Sequence, residues 1–325
     1  MKRKWMISLL CGVMSIPAVV FAAESGTGFP TKPLRLVVGF APGGAPDIIG
    51  RLVGQRLSEA IRQPVIVDNR PGATGNIGAE IVARAPANGY TLFLATVSLV
   101  IAPNFNAALP FDPERSFAPV SRVAAVPLLV VVHPSLPVRS ITELIRYAKT
   151  KPGVLNYASV GAGSPQHLSG ELFKATAGIN LLHVPYKGGG PATAAVLSGE
   201  TQLFFAGMPP ALPHARAGRL RALAVSTARR SPSAPEVPTV SEAGLPGFEA
   251  DNWHGILAPR GTPAPLIAEL NRGIVAVLSQ ADTRKQLISS GAEGVSSSPE
   301  AFEKFILAES KKWAGVARQA GARAN

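Results

Sequence analysis

Apolar positions recur along this chain in two rhythms, and the change from one to the other is clearest over residues 35–61. Leu36, Val37 and Val38 form a short β-branched run, the pattern of a strand buried on both faces. Pro42-Gly43-Gly44 interrupts it, and glycine lets the backbone approach a ligand closely. Beyond Pro46, the residues Ile49, Leu52, Val53, Leu57 and Ile61 repeat at helical spacing, with Arg51, Gln55, Ser58 and Glu59 on the other side. A strand, a glycine turn and a helix start in succession build an anion site: first-turn amides are free and the helix dipole favours negative charge. The same stretch also fits an ordinary strand-to-helix connection with no ligand, and alone it leaves the two readings open.

The rest of the chain alternates in the same way. A second strand is predicted over 63–69, a second glycine-rich loop over 70–76 and a helix over 77–85. A third strand over 90–95 ends in Thr96-Val97-Ser98. Open α/β sheets bind ligands at the carboxyl ends of strands, so Thr96 and Ser98 are either ligand-facing or local caps. Residues 120–133 are apolar with Pro127 inside, which fits two strands or one strand passing between domains. Ser140-Ile141-Thr142-Glu143 reads as a capping box opening a helix that runs to Lys149. A strand over 155–158 leads to the loop Ser159-Val160-Gly161-Ala162-Gly163-Ser164-Pro165, and helical character resumes at Gln166. The opening device thus recurs in mid-chain, and two such loops from two domains can face each other across a cleft. Strands over 181–186, 201–205 and 220–226 alternate with helices, the first of which follows Lys187-Gly188-Gly189-Gly190-Pro191. Residues 228–238 read as a surface connection, and residues 248–258 carry the chain back to the first domain. Two final helices begin at Pro265 and, with Pro299 in its first turn, after Ser298.

Length and composition fit this outline. The 325 residues suggest two domains, and 46% hydrophobic content is enough for two cores. Lys2, Arg3 and Lys4, the apolar stretch 6–20 and the small residues Ala22 and Ala23 read as a secretory signal cut near residue 23. The single cysteine, Cys11, falls within it, so the mature chain is expected to lack disulfides, thiol catalysis and cysteine-bound metal. The net charge of +12 is scattered and not interleaved with aromatics, which points to a solvated basic surface rather than nucleic-acid binding. No G-x-S-x-G, Walker A or H-E-x-x-H motif occurs, and the five histidines never pair at metal-ligand spacing. Glycine loops without a dinucleotide fingerprint argue for backbone recognition of a small anion, with no cofactor. His167 either touches a ligand, acts as a base or bonds locally. Asp47 either complements the helix dipole or touches the ligand.

Several stretches together carry a resemblance. These are Lys32-Pro33-Leu34-Arg35, Phe40-Ala41-Pro42-Gly43-Gly44 with Asp47, Val67-Asp68-Asn69-Arg70-Pro71-Gly72, and Gly75-Asn76-Ile77-Gly78. Pro86 with Gly89-Tyr90-Thr91-Leu92, Gly161, Gly163-Ser164 and His167-Leu168 continue it. His183-Val184-Pro185-Tyr186-Lys187-Gly188, Gly218-Arg219-Leu220-Arg221-Ala222-Leu223-Ala224, Val237-Pro238-Thr239-Val240 and Ala258-Pro259 with Gly261-Thr262-Pro263 complete it. Across nearly all of the mature sequence the chain resembles the periplasmic solute receptors of tripartite tricarboxylate transporters, a large group in Bordetella and related β-proteobacteria.

The resemblance implies an α/β fold: a two-domain periplasmic binding protein of type II with a ligand cleft between the domains. Domain 1 would be residues 24–124 and 253–325, and domain 2 residues 125–252, with crossings near 123–126 and 252–255. It implies a non-catalytic, monomeric receptor that hands a small organic carboxylate to a membrane permease. Two alternatives stand beside it: a secreted enzyme using Ser164 and His167, and a protein presenting its ligand to a sensor kinase. The implied ligand residues are Phe40, Ala41, Gly43, Gly44 and Asp47 in one loop, Thr96 and Ser98 in another, and Ser159, Gly161, Gly163, Ser164 and His167 in a third, joined by Lys187, Gly188 and Ala206. No metal is implied. The chain departs from the family pattern at Gly39 and Pro46, where proline and threonine are usual, and at His254, where an aromatic is usual beside Trp253. Ala206 stands where an acidic residue is frequent, which leans away from amino-acid ligands.

Overall fold

The computed structural model describes residues 28–106 and 108–319. The signal segment expected over residues 1–23 lies outside the described residues. Strand β1 (Leu34–Val38) runs into the glycine turn and α1 (Ala45–Ile61). β2 (Val65–Asn69), α2 (Asn76–Ala83), β3 (Thr91–Thr96) and the single helical turn α3 (Ser98–Ile101) follow. The apolar run 120–133 resolves into β4 (Phe117–Ala125) and β5 (Leu128–Val132), which belong to different sheets. Pro127 sits in the break, where a residue without an N–H costs no ladder bond.

The middle of the chain carries α4 (Ile141–Thr150), β6 (Asn156–Ser159), α5 (Pro165–Ala177), β7 (Leu182–Pro185), α6 (Gly189–Leu197), β8 (Leu203–Gly207), α7 (Met208–Arg216) and β9 (Arg221–Val225). At the start of α4, Ser140 Oγ accepts from the Glu143 N–H at 3.1 Å. The Glu143 carboxylate accepts from the Arg139 N–H, one residue earlier than a capping box requires. The chain returns as β10 (Trp253–Pro259) and ends in α8 (Ala264–Ser279), α9 (Ala281–Ser289), β11 (Glu293–Gly294) and α10 (Pro299–Gln319).

Two sheets result. The first has the order β11-β4-β10-β3-β1-β2, and the second β7-β6-β8-β5-β9. β1 pairs in parallel with β2 and β3, while β10 is inserted antiparallel between β3 and β4. In the second sheet β6 is parallel to β7 and β8, and β5 is antiparallel to β8 and β9. The two passages between sheets lie side by side, joined by the Val126 N–H donating to the Asn252 carbonyl at 2.8 Å. α10 packs on β4 and α3 and also on α5, with Phe302 and Trp313 fully buried, and so straps the two halves together.

Register fixes which side chains meet at the centre. His254 lies opposite Thr96 on β3, and side chains alternate along a strand. His254 therefore shares a face with Ile256 and Ala258, and Thr96 with Leu92 and Leu94, the face that packs against α1. This brings two polar residues to the end of an otherwise apolar face, beside the start of α1.

Candidate functional site

Between the two sheets lies a narrow cavity, closed down to a volume of about 20 Å³. Phe40, Ala45 and Pro46 line it from the loop and first turn of α1, and Thr96 and Ser98 from the end of β3. Asn252 and His254 complete that half. From the second half come Val160, Pro165 and Gln166 around the start of α5, Gly189 at the start of α6, and Gly207 and Pro210 at the start of α7.

Besides the single turn α3 at Ser98, four helices thus begin at this cavity, and the N-caps of three of them, Gly44, Gly188 and Gly207, offer no side chain to satisfy the first-turn amides. These starts touch. A Cβ on Gly44 would sit 3.4 Å from the Gly189 nitrogen, and one on Gly207 would sit 2.9 Å from the Ala45 Cβ. Proline limits what each can give. α7 carries Pro209 and Pro210, and its Met208 N–H already donates to the Pro127 carbonyl, so it contributes its dipole but few donors. α1 keeps the Ala45 and Asp47 amides on either side of Pro46, and α6 keeps those of Gly189 and Gly190. At α5, Ser164 Oγ caps the His167 N–H at 3.2 Å.

The lining is polar without being charged. Among the described residues no Asp, Glu, Lys or Arg faces the cavity. Ser98 Oγ, Gln166 Oε1, Asn252 Oδ1 and both ring nitrogens of His254 are buried without a hydrogen-bond partner. Burial pushes the His254 imidazole down to about 3, so it is neutral at physiological pH. Buried polar groups are nearly always paired, so a cluster of unpaired ones marks a place where a further molecule belongs.

The residues expected at the site fall into distinct places. Phe40, Thr96 and Ser98 line the cavity. Gly161 and Lys187, with Phe40 again, line a second and outer space of about 480 Å³. Phe40 and Val160 border both spaces and form the wall between them. Ala41 and Gly188 press together behind this wall, with a Cβ on Gly188 falling 3.2 Å from that of Ala41. Asp47 is buried and braces the glycine loop: its carboxylate accepts from the Gly43 N–H at 2.9 Å and Asn69 Nδ2 at 3.0 Å, and pairs with Arg51 at 2.9 Å. Burial alone would raise the Asp47 pKa, but these three partners outweigh it and hold the carboxyl below its ordinary value. Ala206 does not reach the cavity. It is fully buried on β8 opposite Leu129, among apolar side chains, and its neighbour Gly207 takes the lining position.

Ser159, Gly163, Ser164 and His167 support the loop from beneath. Ser159 Oγ meets His183 Nε2 at 2.6 Å and accepts from the Gly161 N–H at 3.1 Å. His167 Nδ1 accepts from the Gly163 N–H at 3.2 Å, and its ring stacks on His183 with centroids 4.2 Å apart. Phe105, from the other half, makes a T-shaped contact with His167, the ring centroids 5.6 Å apart. Tyr157 stacks beyond His183 and donates to Glu171 at 2.6 Å. Burial, with His167 adding to it, pushes His183 down to about 4. A serine and a histidine in bonding distance resemble a nucleophile and its base, yet neither Ser159 nor His183 lines either space. Among the described residues no group of three His, Cys, Asp or Glu side chains is placed to hold a metal.

Sequence reasoning missed Gln166, Asn252 and His254 as lining residues. The signal available was His254 itself, a polar residue on a strand whose alternate positions Ile256 and Ala258 are apolar and buried.

Two α/β halves joined by a double crossing, with a cavity between them at converging helix starts, define a periplasmic binding protein. The chain belongs to the tripartite tricarboxylate transporter receptor family, whose model matches residues 49–322. It is 37% identical to protein BugT of Bordetella pertussis, over 96% of each chain. Among solved structures, Rpa4515 of R. palustris with adipate superposes with a TM-score of 0.90 at 39% identity, covering 91% of this chain and 100% of that one. MatC of Rhodopseudomonas palustris with bound malate superposes with a TM-score of 0.82 at 31% identity, covering 89% and 99%.

Proposed function

We propose that the protein is an exported receptor that holds a small organic carboxylate between its halves and delivers it to the membrane permease of a tripartite tricarboxylate transporter. The observation that carries this reading is the meeting of uncapped helix starts at Gly44, Gly188 and Gly207 around a cavity with unpaired buried polar atoms. Helix starts favour anions, and an enclosed cavity strengthens every such contact by excluding water. Relatives described with adipate and with malate support the same ligand class.

In this reading residues 24–124 and 253–325 move as one domain and 125–252 as the other, hinged where Val126 and Asn252 pair. The protein works in the periplasm as a monomer, and no reaction follows binding. Ser164 serves as a helix cap and His167 as a loop brace, and neither lines the cavity, which weighs against an enzyme built on them.

A thermal-shift screen of ligand-stripped protein against organic acids tests the reading. An acid present at about 100 times its dissociation constant adds roughly 2.7 kcal/mol of stability. A shift confined to one class of carboxylates supports the receptor; product formation from a bound acid, or no shift with any acid, overturns it.

A further inference from the structure

The carboxylate reading above leaves one part of the cavity unexplained, and the inference drawn from it rests on that reading. Helix starts of α1, α6 and α7 gather on one side, where Gly44, Gly189, Ala45 and Gly207 are in contact. Their dipoles and amides provide for one negative charge. The remaining polar wall is Thr96, Ser98, Gln166, Asn252 and His254, whose exposures are 4%, 4%, 7%, 4% and 0%. Five of their polar atoms have no partner. An unmade hydrogen bond in a buried place carries the full desolvation penalty of the group, so this wall is shaped for a ligand group that bonds to it.

The chemistry of that group follows from what the wall lacks. A second carboxylate would face the amide oxygens of Gln166 and Asn252 with no cation to offset it, and a buried unpaired charge is costly. An ammonium group would find no carboxylate, because among the described residues no acidic side chain lines the cavity. An alkyl chain would leave all five atoms unpaired. A hydroxyl or a primary carboxamide donates to the amide oxygens and also accepts from Ser98 or from the N–H of a neutral imidazole. His254 has two unpaired atoms, its ring donor and its ring acceptor, where Ser98, Gln166 and Asn252 each have one, and it stands opposite Thr96 at the carboxyl end of β3.

We propose that this site is built for a monocarboxylate carrying an uncharged hydroxyl or carboxamide group, and that His254 is the residue that reads this group.

Isothermal titration of the ligand-stripped full chain with matched acids tests the proposal. The set is butyrate, γ-hydroxybutyrate, succinamate and succinate, each with its longer homologues, against wild type and His254→Phe. At the chain length that fits, the hydroxy acid or half-amide binds about tenfold more tightly than the plain acid and the diacid. His254→Phe removes that preference, read as the ratio of the two affinities within each protein. Circular dichroism checks its fold; should the variant not fold, Gln166→Leu, on the opposite half, is expected to reduce the same preference. A wild type that prefers the diacid or the plain acid overturns the proposal, as does a folded variant that keeps the preference. If no acid of any kind binds, the carboxylate reading itself falls, and the two failures are told apart.

Discussion

The Thr74 hydroxyl donates to the Ala162 carbonyl at 2.8 Å, joining two glycine-rich loops that belong to different sheets. Thr74 sits in a turn whose residues Gly72, Ala73, Thr74 and Gly75 have φ of 139°, 47°, 56° and 98°. Non-glycine residues in the left-handed region cost of order 1 kcal/mol each. The turn packs against the wall of the cavity, since a Cβ on Gly75 would lie 3.1 Å from the Phe40 ring. The bond therefore acts as a latch on the closed cleft. Removing it with Thr74→Ala is expected to cost about 1 kcal/mol, a roughly fivefold loss of affinity. The loss should be seen as faster dissociation in stopped-flow, with the melting of ligand-free protein little changed. Unaltered dissociation would rule out the latch.

Gly207 and Ala45 set how closely the halves approach. The Cβ added by Gly207→Ala would lie 2.9 Å from that of Ala45, closer than two carbons pack. Overpacking costs typically 1–3 kcal/mol, and here a slight opening of the cleft relieves it. The variant should bind about tenfold more weakly, and its ligand-bound form should scatter X-rays as a larger particle than the wild type. Wild-type affinity in this variant would mean that α7 does not meet α1 when ligand is held.

Asp47→Ala tests the brace on the glycine loop. It leaves Arg51 and the Gly43 N–H without their carboxylate partner, and a destabilisation of about 1–3 kcal/mol in urea melts is expected at neutral pH. The sign with pH is fixed by the lowered pKa. The Asp47 contribution is present above the ordinary aspartate value and is lost as pH falls through the lower folded value. Wild type and variant should therefore converge only in strong acid. A stability difference that vanished already near neutrality would contradict this role.

His254 has the same sign, in a window that begins nearer neutrality. The unfolded chain takes up a proton near the ordinary value of 6.5, whereas the folded chain resists until about 3. The folded state therefore loses up to about 1.4 kcal/mol per pH unit from this residue as pH falls through that window. Burial raises the carboxyls of Asp251 and Glu309, which work in the other direction, so the comparison must be between variants. Melting temperature should fall less steeply from about pH 7 to about pH 5 in His254→Phe than in wild type. Parallel curves would mean that His254 takes up its proton as readily in the folded chain as in the unfolded one.

The parts of this molecule that announce themselves in sequence are those set by local chemistry. β1, its glycine turn and α1 are legible because a β-branched run, a break and a helical repeat follow one another. The run 120–133 was ambiguous because periodicity does not tell one long strand from two, and the answer lies in which sheet each half joins. α9 was not anticipated: only Thr283 and Leu287 of its nine residues are buried, so it has almost no apolar stripe to read. α8 and α10 do have one, and both were expected.

The candidate site divides along the same line. Phe40, Thr96 and Ser98 lie at strand ends and were legible as such. His254 and Asn252 reach the cavity only because β10 returns from far along the chain to lie between β3 and β4. No local pattern records that insertion. Ala206 and Gly207 differ by one place, and alternation along β8 turns the first into the core and leaves the second at the cavity.

The central claim is that the helix starts of this cavity hold a carboxylate, and the most direct measurement compares an acid with its own methyl ester. Titration calorimetry on the ligand-stripped protein would use the best acid from the thermal screen and the ester of that acid, which keeps its shape but loses its charge. The acid is expected to bind and the ester to bind at least about a hundredfold more weakly, because charged hydrogen bonds at the helix starts contribute a few kcal/mol that an ester cannot recover. Equal binding of acid and ester would contradict an anion site at Gly44, Gly188 and Gly207.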